Sequence, residues 1–253
     1  AVYIANTGYE VGTPSAAGTG QVRNESGEWR HYGSSKTGTR FAAHEQINLD
    51  NVDQLERAWE VHSGVPGEFK GTPIQVGDGL YLCTGRNGVT HYALPDPGDS
   101  DCPERIFTAT TDARLVAVNK DTGQPCADFG GNGEISLLEG MGEVSPGFYF
   151  VTSPPSIANG VLVLGGWVLD NQETEEPSGV VRGFDPVSGE LVWAWDMGRE
   201  DRIGLPEAGD SYTRGTPNVW SLTSVDEELG LVYVPTGNAT PDYWGGHRSE
   251  AME

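Results

Sequence analysis

VTSPPSIANGVLVLGGWVLDNQETEEPSGVVRGFD, residues 151–185, is the stretch around which the rest of the chain is read. A Pro-Pro pair opens it, the apolar run 161–164 reads as a strand, and Gly165-Gly166 breaks that strand. Trp167 leads into Asp170 and Asn171, and the chain returns through the apolar run 180–184. The Gly-Gly pair suggests a backbone that a flat ligand can approach, because no Cβ stands in the way. A carboxylate beside an amide supplies hard oxygen ligands of the kind calcium prefers. The same residues also fit plain architecture, a kinked strand followed by a polar turn.

Working outward, VRGFDPVSGELVWAW (181–195) resembles LVAVNKDTGQPCADF (115–129). Each is expected to be a strand, then Asp185 or Asn119, a tight turn closed by Gly189 or Gly123, then another strand. A small side-chain acceptor bonds the turn amides, Gly takes positive φ, and Trp193 fills the gap between packed sheets. Units about 65 residues apart fit four-stranded β-propeller blades carrying insertions; two unrelated hairpins are the plainer alternative. Further strands are expected at 72–76 and 80–84 around Gly77-Asp78-Gly79, at 105–110 and 114–119, at 191–195 and at 231–235. Helical periodicity is weak throughout, so the fold class is all-β. One short helical turn carrying Val52 and Leu55 is expected, capped by Asn48 or Asp50, with Trp59 opening a strand.

The chain has 253 residues, enough for one large domain with a sizeable core. Its 36 glycines, 16 prolines and seven tryptophans among short apolar runs agree with turn-rich β structure. A formal net charge of −22 repels phosphate backbones and disfavours nucleic acid as a partner. No run is long enough for a membrane-spanning helix. Cys83, Cys102 and Cys126 form neither a metal cluster nor a disulfide scaffold. Cys102 and Cys126 flank one expected hairpin; they either pair, which suits an oxidising compartment, or stay free. His31, His44 and His62 lack ligand spacing and read as ordinary polar positions. Residues 1–26 read as an extended N-terminal segment.

Several strings together resemble the pyrroloquinoline quinone (PQQ) dependent dehydrogenases of the membrane-associated glucose, quinate and shikimate type. They are GEWRHYGSSKTGTRFAAHEQINLDNVDQLERAWEVHSG, GTPIQVGDGLYLCTGRN, CPERIFTATTDARLVAVNKDTGQPCADFG, the central stretch above, TRGTPNVWS and GLVYVPTGNATPDYWGGHR. They span most of residues 27–248 in the family's order. The resemblance implies an eight-bladed β-propeller, present here in part over 27–253, with PQQ near its axis and a divalent ion, usually calcium, beside the quinone. It puts Asp170 and Asn238 at metal-ligand positions, with Asn171 and Thr240 nearby. It puts Thr152, Trp167, Thr216 and Asn218 along the cofactor, and Arg86 near it. It also implies oxidation of a sugar or polyol hydroxyl, electron transfer to ubiquinone, a periplasmic location and attachment to the inner membrane.

The chain departs from the family pattern in two places. Gly88 follows Asn87 where the family has several tens of further residues, so an internal deletion is expected near 87–88. The chain stops at Glu253, before the family's proton-abstracting aspartate, so no catalytic base is assigned and the 253-residue piece is expected to be inactive. The alternatives to an enzyme are a non-catalytic propeller binding module and a calcium-stabilised structural domain. Asn238-Ala239-Thr240 is also formally a glycosylation triplet.

Overall fold

The computed structural model describes residues 27–66, 70–84, 87–199 and 201–246. The expectations for residues 1–26 and for Arg86 lie outside the described residues. Residues 27–66 are mostly irregular, with one 3-10 turn, Val52–Gln54. Its cap position is Asn51, and no side chain caps it; the turn starts on the Val52 N–H to Asn48 C=O bond at 3.0 Å. Asn48 and Asp50 are therefore not its caps. Trp59 does not open a strand, for it sits in irregular chain at 66% exposure, and no strand among the described residues pairs with it.

The strands begin with the hairpin β1 (Ile74–Val76) and β2 (Gly79–Tyr81), turned at Gly77 with φ 56°. Then β3 (Thr90–Ala93), β4 (Glu104–Ala109), β5 (Arg114–Asn119) and β6 (Glu134–Ser136) form one antiparallel meander in chain order. Next come β7 (Tyr149–Phe150), β8 (Ser156–Ala158), β9 (Val161–Leu164), β10 (Trp167–Val168), β11 (Val181–Phe184) and β12 (Leu191–Trp195). Of these, β8, β9, β11 and β12 build a second four-stranded meander, while β7 and β10 pair beside it. The hairpin β13 (Ser224–Asp226) and β14 (Leu231–Tyr233) follows.

Alternation along β9 shows how the sheets stack. Leu162 and Leu164 face a core shared with Phe107, Leu115 and Phe129 of the preceding sheet. Val163 faces the other way, toward Trp193, Val219, Val225 and Val232. A strand buried on both faces belongs to a sheet sandwiched between two others. Phe107 and Phe129 meet edge-on, centroids 5.4 Å apart. Trp193, 8% exposed, fills the gap toward the β13–β14 hairpin as its position in the repeat implies.

The repeated turns work as the sequence implies, but only the second copy continues into a strand, Leu191–Trp195; after Gly123 the first copy makes a single bridge, Pro125 to Val118, and turns away. Asn119 Oδ1 accepts the Asp121 and Thr122 amides at 2.8 and 2.9 Å. Asp185 Oδ1 accepts the Val187 and Ser188 amides at 2.9 and 2.6 Å. The second turn is tied to the preceding sheet by Arg105, whose side chain is fully buried. Its guanidinium donates to the carbonyls of Cys102, Pro186 and Val187 and pairs with Asp128.

Cys102 and Cys126 form a disulfide with Cα atoms 5.6 Å apart, and Cys83 is a free thiol. The bridge closes a loop of sequence separation 24. Reduction is expected to lower the stability of the protein by about 3 kcal/mol through the wider unfolded ensemble. Urea denaturation with and without a reductant measures this. An unchanged midpoint would show that the bridge restrains nothing.

Candidate functional site

A cavity of about 420 Å³ opens where the second meander faces the irregular N-terminal chain. Thr152, Trp167 and Trp220 line it together with Tyr32, Lys70 and Gly88. Thr152 and Ser153 reach it from the loop between β7 and β8, both donating to the Trp220 carbonyl at 2.6 and 3.0 Å. Those bonds hold the Trp220 backbone while its indole stays 54% exposed, a flat apolar surface beside a polar rim. Trp167 is steadied by Phe150, ring centroids 4.6 Å apart.

Thr216 and Asn218 do not line the cavity. Thr216 is buried; its hydroxyl accepts the Gly179 amide at 3.0 Å and donates to the Thr213 carbonyl at 3.3 Å. Asn218 is 4% exposed, and its backbone carbonyl accepts the Gly237 amide at 2.8 Å. Its Oδ1 is buried without a hydrogen-bond partner among the described residues. Such an atom costs stability until a ligand N–H or O–H meets it. It lies two residues before Trp220, and the space at Gly237 separates it from the Trp220 indole nitrogen.

The Gly165-Gly166 pair does not open a face to a ligand. A Cβ at Gly165 would stand 2.6 Å from Val219 Cβ, and one at Gly166 would stand 2.2 Å from the Tyr149 ring. These glycines make room for the protein's own side chains. The chain next to them carries the polar site.

Asp170 and Asn238 converge on one residue that sequence reasoning missed, Asp242, and Asn171 bonds the residue after it. Asp170 Oδ1 accepts the Asp242 amide at 3.1 Å and the Asn171 amide at 2.7 Å. Asn171 Oδ1 accepts the Tyr243 amide at 3.4 Å, and the Asn238 side-chain amide donates to Asp242 Oδ1. Thr240 is fully buried and turned toward Gly215, whose carbonyl accepts its amide at 3.0 Å. The triplet Asn238-Ala239-Thr240 is thus tied into the fold at both ends. Glu176, also fully buried, accepts the Gln172 and Glu173 amides at 2.6 and 3.0 Å and shapes the loop that carries Asp170.

Asp170, Asn171, Asn238 and Asp242 each bring a side-chain oxygen, the atom type a hard cation requires, although the Asn238 side chain presents its NH2 group to Asp242. Among the described residues, no group of three or more His, Cys, Asp or Glu side chains is placed to hold a metal ion. A calcium ion here would have to draw on amide oxygens and on the ligand itself. The histidines are ordinary: His44 bonds the Gly27 carbonyl, and burial pushes the His31 imidazole down to about 4. For Trp220 and Asp242, the signal in the sequence is that both sit in the quoted strings TRGTPNVWS and TGNATPDYWGG but outside any strand.

The family described as "PQQ: Glucose/ethanol/alcohol dehydrogenase, beta-propeller domain" matches residues 29–96 and 87–253. The glycerol dehydrogenase large subunit of Gluconobacter oxydans is 38% identical over 265 residues, covering 88% of this chain and 36% of that protein. Quinoprotein glucose dehydrogenase of Escherichia coli is 36% identical, covering 89% of this chain and 34% of its own. Quinate/shikimate dehydrogenase (quinone) of Acinetobacter baylyi is 34% identical, covering 88% and 34%. The chain thus spans about a third of the length of these relatives. Among solved structures, quinohemoprotein alcohol dehydrogenase from Comamonas testosteroni superimposes with a TM-score of 0.63 at 19% identity, over 85% of this chain and 36% of that one. The likeness shows the fold, a partial β-propeller whose four-stranded meanders are its blades. The chain belongs to the PQQ glucose/ethanol/alcohol dehydrogenase β-propeller family.

Proposed function

We propose that this chain is the cofactor-holding part of a dehydrogenase that uses PQQ and calcium to oxidise a hydroxyl of a sugar or polyol and passes the electrons to a membrane quinone such as ubiquinone. One observation carries the reading. The cavity of Thr152, Trp167 and Trp220 is joined through the short segment from Trp167 to Asp170 to the cluster of Asp170, Asn238 and Asp242. Trp220 offers a flat ring its stacking face. Thr152 and Lys70 supply polar contacts at the rim, and the buried Asn218 Oδ1 awaits a donor. Asp170 and Asn238, with Asn171 and Thr240 beside them, would hold the ion, and Asp242 fixes the spacing of the first two. When bound, the quinone accepts hydride and the ion polarises its carbonyl.

The Cys102–Cys126 disulfide favours the periplasmic side, and among the described residues no helix is long and apolar enough to cross a membrane. We assign residues 27–253 to one incomplete propeller unit in which a stretch is missing at Asn87-Gly88. The alignment with the glycerol dehydrogenase subunit runs over 265 positions, more than this chain's 253 residues. In support, the β1–β2 hairpin has two strands where the next sheet has four.

Quenching of tryptophan fluorescence by PQQ tests the reading. Binding is expected to require calcium, and Asp170→Ala is expected to weaken the calcium requirement's midpoint by about 10–100-fold. Equal PQQ binding in excess chelator would overturn the metal assignment. No PQQ binding at all would overturn the cofactor reading.

A further inference from the structure

A second cavity, of about 250 Å³, adjoins the first and shares Tyr32, Pro154 and Leu222 with it. It lies under the strap formed by residues 31–40, which crosses to β13 through the Val225 amide to Lys36 carbonyl bond at 3.1 Å. The strap is tightly wound. Gly38 bonds back to Ser35 and Arg40 to Gly33, at 3.0 and 2.8 Å. Ser34 and Arg40 hold left-handed φ of 72° and 53°, a conformation that ordinary side chains avoid. The result is that Arg40 lies over the shared wall, its guanidinium carbon 5.3 Å from the Tyr32 ring centroid.

Two features of charge set this cavity apart. In a chain with 37 acidic and 15 basic residues, no Asp or Glu among the described residues lines either cavity, whereas Lys36, Arg40 and Lys70 line them. Every other described arginine donates to a carboxylate or a backbone carbonyl: Arg105 and Arg182 are buried in such networks, and Arg202 pairs with Asp196 and Asp210. Among the described residues, Arg40 has neither partner; Lys36 pairs with Glu227, which stands outside the cavity. A planar guanidinium held over an aromatic ring, with its donors uncommitted, matches the two oxygens of a carboxylate.

We propose that the cavity under the strap is a carboxylate subsite, with Arg40 as the recognising group and Lys36 as a supporting charge. The carboxylate belongs either to a hydroxy acid of the quinate type entering as substrate or to the PQQ in the adjoining cavity; both sources rest on the function proposed above, while binding of a carboxylate at Arg40 can be measured without turnover.

Tryptophan fluorescence of the protein, titrated with quinate, with its methyl ester and with PQQ, separates these. Arg40→Gln is expected to weaken binding of quinate, of PQQ or of both by about tenfold or more, with Arg40→Lys restoring part of it. Loss confined to quinate, together with weak binding of the neutral ester, assigns the carboxylate to the substrate. Loss confined to PQQ assigns it to the cofactor. Quinate is titrated without PQQ as well, so a failure of cofactor binding does not decide the outcome. Affinities for quinate and PQQ both within twofold of wild type in Arg40→Gln would overturn the proposal.

Discussion

Gly179→Ala is expected to destabilise the protein by more than about 4 kcal/mol, at the extreme of what one methyl group does. A Cβ at this position would lie 1.8 Å from the Pro217 carbonyl oxygen and 2.7 Å from Asn218 Cα. Both obstacles are backbone, so no side-chain rotation relieves them. The contact also sets function, because the Gly179 amide donates to Thr216 Oγ1 at 3.0 Å and this bond anchors the segment that ends in Trp220. Urea midpoints measure the loss, with Gly204→Ala as the control, since nothing lies within 4 Å of its Cβ position. Gly204→Ala is expected to change stability by less than about 0.5 kcal/mol. If the two variants had equal midpoints, the close approach of residues 179 and 217 would not exist in solution.

The second large effect is at Arg105. Replacement by Met keeps much of the stem but removes a charged donor that joins three separate carbonyls and Asp128. Asp128 is 43% exposed and is rehydrated, but the Cys102, Pro186 and Val187 carbonyls lose their donor. The expected cost is about 3–5 kcal/mol. Lysine retains the charge and not the fork, so it is expected to recover less than half of that loss. Because Arg105 belongs to one sheet and Pro186 to the next, the variant should also loosen the two sheets relative to each other. Hydrogen exchange at the amides of β11 and β12 would show this. Unchanged protection there would mean that the sheets are held by the apolar core alone.

Much of this fold is legible in sequence where local chemistry decides it. The Asn119 and Asp185 turns are readable because one small side chain bonds two amides within three residues. Strand β9 is readable as a bare apolar run. The strands that escape notice, β3, β6, β7, β8, β10 and β13, are two to four residues long, and only their neighbours make them strands. The site divides the same way. Asp170 and Asn238 are found by their residue types in matching strings. Asp242 and Trp220 owe their places to contacts 67 to 72 residues distant in the chain, which no local pattern encodes. The Gly165-Gly166 pair misleads for the converse reason, since a missing Cβ signals a close approach without saying what approaches.

Almost every strand pairs with the one made just before or after it, so each sheet closes on itself with little reach along the polypeptide. Such architecture assembles piecemeal, in the order in which residues emerge, and the entropic toll of joining distant segments stays small. It also makes the chain forgiving of change in length. Residues gained or lost between two hairpins alter one layer of the stack and leave the pairing of its neighbours intact, as where the buried Val89 leads straight into β3.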